Sequence, residues 1–247
     1  MRAVNRSRRD RCALSRPLAS GGFTLIELAV VVLVITLLVG SILVPLTSQV
    51  QQRKLVETQR TLDDIRETLI GFAMVNGRLP RPATSATDGN ERPADCANDT
   101  DCTGFLPWTT LGTQKADAYG KIIRYSVTPS FANAATPITL TSAPGRSVST
   151  RQSVAPFGVV TMITSVPALI WSQGPERGGT SADGAAMPDD STTNLDEKAN
   201  GGATVTTVIS RNPSESTTAP GGEFDDIVTW VPTGLLLNRM VTAGRLP

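Results

Sequence analysis

The chain has 247 residues, with 23 Lys and Arg against 22 Asp and Glu, for a formal charge of +1. That balance leaves no electrostatic footprint for general nucleic-acid binding. The absence of His excludes Ser-His-Asp and Cys-His nucleophiles and His-ligated zinc together.

The even overall charge hides an asymmetric start. Arg2, Arg6, Arg8, Arg9, Arg11 and Arg16 face the single acid Asp10 within residues 1–22, which reads as a basic leader. From Phe23 to Leu46 only Glu27 is charged. As a helix that run would rise about 36 Å, enough to cross a hydrocarbon core of roughly 30 Å. The reading is therefore a membrane helix. Arg on its amino side alone predicts a cytoplasmic amino terminus and everything beyond Leu46 on the far side. The small residues Ser20-Gly21-Gly22 precede the apolar run, so a cut after Gly22 leaves that run on the mature chain, unlike a secretory signal. Glu27 is a costly carboxylate in such a segment. It either reaches the interface or pairs with an amine, for which the new amino group of Phe23, one turn away, is suitably placed.

Gly22-Phe23-Thr24-Leu25-Ile26-Glu27 followed by the apolar run resembles the signature of type IV prepilins, shared by type IV pilins and type II secretion pseudopilins. The resemblance implies cleavage by a prepilin peptidase after Gly22, N-methylation of Phe23, and a role for Glu27 in packing with other pilin or pseudopilin subunits. Weaker likenesses to pilin-like head domains follow in order: Asn76-Gly77-Arg78-Leu79-Pro80, Leu106-Pro107-Trp108, Asp117-Ala118-Tyr119-Gly120, Ser172-Gln173-Gly174 and Asp225-Asp226-Ile227-Val228-Thr229-Trp230.

Pro45 predicts a kink between Ser41 and Pro45. Beyond it Leu55, Leu62, Ile65, Leu69, Phe72 and Ala73 recur at three- and four-residue steps, so one helical face must be covered. Asn76-Gly77 with Pro80 closes the helix. Residues 79–108 read as a loop rich in turn formers. Cys96 and Cys102 are the cysteines outside the leader; in an oxidising compartment they form a short disulfide loop, and two Cys without His cannot complete a zinc shell.

Short β-like runs follow at Lys121–Val127, Gly158–Thr164, Ala168–Ser172, Ala203–Ser210 and Ile227–Val231. Residues 178–202 and 212–222 read as long mobile loops. Asp225 and Asp226, with Glu223 beside them, offer carboxylates to a hard cation or form a solvated turn. Calcium is also what the resemblance implies for Asp225 and Asp226. No Gly-Lys-Ser/Thr phosphate loop and no acid or Ser-Lys pair at a catalytic spacing is present, so a non-enzyme is expected.

The expected architecture is α+β: a basic leader over residues 1–22, a long helix over 23–76 with its first half in the inner membrane, and a periplasmic head over 77–247. The helix packs on a C-terminal antiparallel sheet. The expected function is a structural subunit, minor or specialised, of a pilus or secretion-pseudopilus filament. The alternative is a signal-anchored periplasmic adhesin or binding module that does not polymerise. The fate of Phe23 distinguishes them.

Overall fold

The structure is a computed structural model that describes residues 22–246, apart from the side chains of residues 39–47. The basic leader therefore lies outside the described residues, except for Gly22. The chain divides into two compact units, one ending at Gln49 and one beginning at Val50. Helix α1, Leu25–Asn76, has residues in both.

In the second unit α1 ends where sequence chemistry ends it. Gly77 adopts φ +71° and its N–H donates to the Ala73 carbonyl, the left-handed glycine stop of a helix. Before that stop, Leu62, Ile65, Leu69, Ile70 and Ala73 are buried, on the face that the three- and four-residue steps define. Phe72 and Leu55 are only half-buried, at the edge of that face.

Among the described residues seven strands form two sheets. The first runs β1 (Thr103–Phe105), β2 (Arg124–Val127), β5 (Ala168–Ser172), β7 (Ile227–Val231), with every neighbouring pair antiparallel. The second runs β4 (Val159–Val166), β3 (Arg146–Arg151), β6 (Thr207–Ile209); β3 is antiparallel to β4 and parallel to β6. Short helices α2 (Trp108–Leu111), α3 (Pro129–Ala132) and α4 (Leu195–Asn200) fill the connections, and α5 (Thr233–Thr242) follows the last strand.

Strand alternation explains the layering. On β5, Ala168 and Ile170 join the cluster made with Leu62, Ile65, Leu69, Leu236 and Met240. Leu169 and Trp171, pointing the other way, join Val148, Val166, Val205 and Val208 of the second sheet region. A strand covered on both faces needs the uninterrupted apolar run that Ala168-Leu169-Ile170-Trp171 supplies. Cys96 and Cys102 are disulfide-linked with Cα atoms 5.2 Å apart. Both are buried members of the first cluster, and the Cys102 carbonyl accepts from Val127 N–H on β2.

Three expectations are corrected. Among the described residues no helix is long and apolar enough to cross a membrane, which overturns the membrane-embedded first half and the placement as a single-pass inner-membrane protein. The arrangement of one helix on one antiparallel sheet is replaced by a four-stranded antiparallel sheet and a separate mixed sheet. Residues 178–202 are also more ordered than a mobile loop: they contain α4 and the Thr180–Ala186 bridge.

Candidate functional site

Two places gather the residues singled out by sequence. The first is the start of α1. Thr24 precedes the first helical residue, Leu25, so Glu27 is the third residue of the helix. Glu27 N–H donates to Thr24 Oγ1 at 3.3 Å and Thr24 N–H donates to Glu27 Oε2 at 3.4 Å. This reciprocal pair is a capping box, satisfying two of the four amide groups that a helix start leaves unpaired. The Thr-x-x-Glu spacing ahead of an apolar run is the signal for it, and the functional reading of Glu27 passed it over. Phe23 stands 82% exposed before the cap, and Gly22 has open space where a Cβ would lie.

Beyond the cap the helix is apolar on every side. Val30, Val31, Val32, Leu33, Val34 and Ile35 are consecutive and all exposed. Six consecutive positions cover more than a full turn, so no orientation of this segment hides its apolar surface on its own.

The second place is a buried acidic group. Asp225 and Asp226 precede β7, and Glu197 reaches them from α4, with one carboxylate oxygen of each within 4.8 Å of the others. Sequence reading paired the two aspartates but missed Glu197, which lies 28 residues before Asp225. Neighbours hold the three in place. Asn200 Nδ2 donates to Asp226 Oδ2 at 2.7 Å, Asp225 N–H donates to Glu197 Oε1 at 2.7 Å, and Asn194 Nδ2 donates to Glu197 Oε2 at 3.0 Å. Asp225 Oδ2 accepts from Glu176 N–H at 2.8 Å, while Asp225 Oδ1 is buried without a hydrogen bond among the described residues. Gly174 makes this approach possible: a Cβ there would lie 1.9 Å from Asp225 Oδ1. Glu223 stays apart, accepting from Thr193 Oγ1 and Ser191 Oγ.

Burial raises the Asp225 carboxyl to about 7, with the Glu197 charge adding to the rise. Asp226 is pushed well above the usual carboxylate range, and Glu197 is raised too, in both cases mainly by burial. The nearby ammonium of Lys121 is itself lowered by burial, against the pull of Asp225 and Asp226. It is occupied by the Gln173, Glu176 and Arg177 carbonyls at 2.8, 2.8 and 3.2 Å. One caged ammonium cannot offset three carboxylates, so the group favours either protons or an added cation. Its oxygen-only donors and one orphaned buried oxygen fit a hard divalent ion.

Comparison of the chain with family models, with curated proteins and with solved structures finds no match.

Proposed function

We propose that this chain is a structural subunit of a type IV pilus or type II secretion pseudopilus filament, released from its leader by a prepilin peptidase after Gly22. The observation that carries the reading is the exposed segment from Leu28 to Leu38, apolar but for Thr36, behind a capped helix start. Apolar surface of that extent requires cover, and the same segment of neighbouring copies supplies it in a helical filament. The head has its own buried core, so it folds without consuming the segment. Glu27 then serves twice, capping its own helix and offering a carboxylate to the Phe23 amine of an adjacent copy, because a charge sealed in an apolar core must meet its opposite.

Glu27→Gln separates those roles, since Gln retains the cap but has no charge. Wild-type chain is expected in filaments sheared from cells, with Glu27→Gln recovered at least tenfold less and helix content by circular dichroism unchanged. Wild-type chain found only as dispersed protein would overturn the filament reading. Equal recovery of the variant would overturn the pairing.

Within the same reading, Glu197, Asp225 and Asp226 hold a structural calcium ion, supported by the orphaned Asp225 Oδ1. Ligation of the native state alone stabilises it by mass action, by about 2.7 kcal/mol at a hundredfold excess over Kd. Calcium is expected to raise the melting temperature of the wild-type chain and chelator to reverse this, while Asp226→Asn abolishes the response. A melting curve indifferent to calcium would remove the ion from the account.

A further inference from the structure

Where β3 runs into the loop before β4, and β6 into the segment that follows it, the surface opens into a groove of about 760 Å³. It belongs neither to the helix start nor to the acidic group. Phe157, Met162, Ala219 and Pro220 give it apolar walls, and Arg151 and Arg211 are its charged lining. Phe157 and Met162 are 42% and 56% exposed, which leaves them open to a ligand. The size falls within the range of ordinary ligand sites, and the apolar wall is set in an otherwise polar rim that includes Gln152, Ser210 and Asn212.

The two cations share one counter-ion. Arg151 Nε and Arg211 Nε donate to the same oxygen, Asp196 Oδ2, at 2.9 and 2.8 Å. Asp196 is fully buried and is not part of the groove surface. Gly221 covers the pair with φ +85°; a Cβ there would lie 2.0 Å from Asp196 Oδ2 and 2.4 Å from Arg151 Nε, so only glycine allows the chain to close over it. Arg211 is further fixed by donating Nη2 to the Gly222 carbonyl at 2.7 Å and by stacking on Phe224 at 4.6 Å. Its Nη1 makes no hydrogen bond among the described residues. Among the described residues no acid lines the groove. The result is a preorganised guanidinium donor with excess positive charge beside apolar walls, the complement of a carboxylate carried on an apolar stem.

We propose that this groove binds an amphipathic carboxylate, with the anion on Arg211 and Arg151 and the stem against Phe157, Met162 and Pro220. A free aliphatic acid and the C-terminal carboxylate of an apolar peptide share that chemistry. The test titrates the full chain, labelled at its methionine methyl groups, with octanoate, with octanamide, and with the peptide acetyl-Ser-Val-Leu bearing either a free or an amidated C-terminus. Octanoate or the free peptide is expected to shift the Met162 methyl signal, at least tenfold more tightly than its neutral amide. The tighter of the two carboxylates identifies the source. Asn212, an exposed groove residue outside the Arg–Asp196 pairing, provides the variant: Asn212→Asp should weaken binding at least tenfold, and Asn212→Gln should retain it. Equal affinity for acid and amide, no binding of either carboxylate, or undiminished binding by Asn212→Asp would overturn the proposal.

Discussion

Glu91 is held more tightly than any pattern of spacing announces. Arg78 Nη1 and Nη2 donate to its two oxygens at 2.8 and 2.7 Å, and Arg81 adds Nε at 3.4 Å, Nη2 at 3.2 Å and its backbone N–H at 3.0 Å. Burial works to raise this carboxyl, but the hydrogen bonds from Arg78 and Arg81 outweigh it and bring the group from 4.5 to about 2. A carboxyl depressed in the folded state contributes stability above its unfolded value, and that stability fades as pH falls from about 4.5 toward 2. Allowing for partial exposure, the contribution is on the order of 2 kcal/mol. Urea melts should show wild type more stable than Glu91→Gln at pH 6, with the gap largely closed by pH 2. A gap independent of pH would mean that the ion pairs do not supply it. Single residues were legible in the sequence only where their chemistry is local. Thr24 and Glu27 are three apart, so their capping box was there to be read. The Arg78, Arg81 and Glu91 cluster depends on a loop folding back on itself, and Glu197 joins Asp225 and Asp226 only through the path of the chain between α4 and β7.

Among elements, the second half of α1 was the plainest to read, because its periodicity is a direct consequence of 3.6 residues per turn. Leu62, Ile65, Leu69 and Ala73 are buried as their spacing requires. Leu69 is fully buried in the cluster that also holds Ile123, Tyr125 and Ile170. Leu69→Ala is therefore expected to cost about 2–5 kcal/mol in denaturant unfolding, against less than about 0.5 kcal/mol for an exposed change such as Glu67→Gln. Comparable losses at the two positions would contradict the packing. β3 was invisible for the opposite reason. Arg146-Ser147-Val148-Ser149-Thr150-Arg151 offers one large apolar residue, and Arg146 is buried only because Asp99, Ser126 Oγ and the Val127 carbonyl satisfy its guanidinium. Without β3 the second sheet could not be inferred, and the single antiparallel sheet was the remaining expectation. α4 was hidden likewise inside a Gly- and Ser-rich stretch whose helix is fastened by Asn200 to Ile209 and Asp226.

For the whole molecule, two surfaces ask for partners of different chemistry: the exposed apolar stretch of α1 that follows Glu27, and the cationic groove beside β3 and β4. The filament account assigns the first to copies of the same segment, and that assignment depends on the chain beginning at Phe23. With the six-Arg leader attached, neighbouring apolar segments would bring like charges together. Intact-mass and peptide mass spectrometry of the chain purified from cells that assemble such filaments tests this most directly. The account predicts a mature protein starting at Phe23 with one methyl group on its amino nitrogen. A chain that keeps residues 1–22 would contradict it.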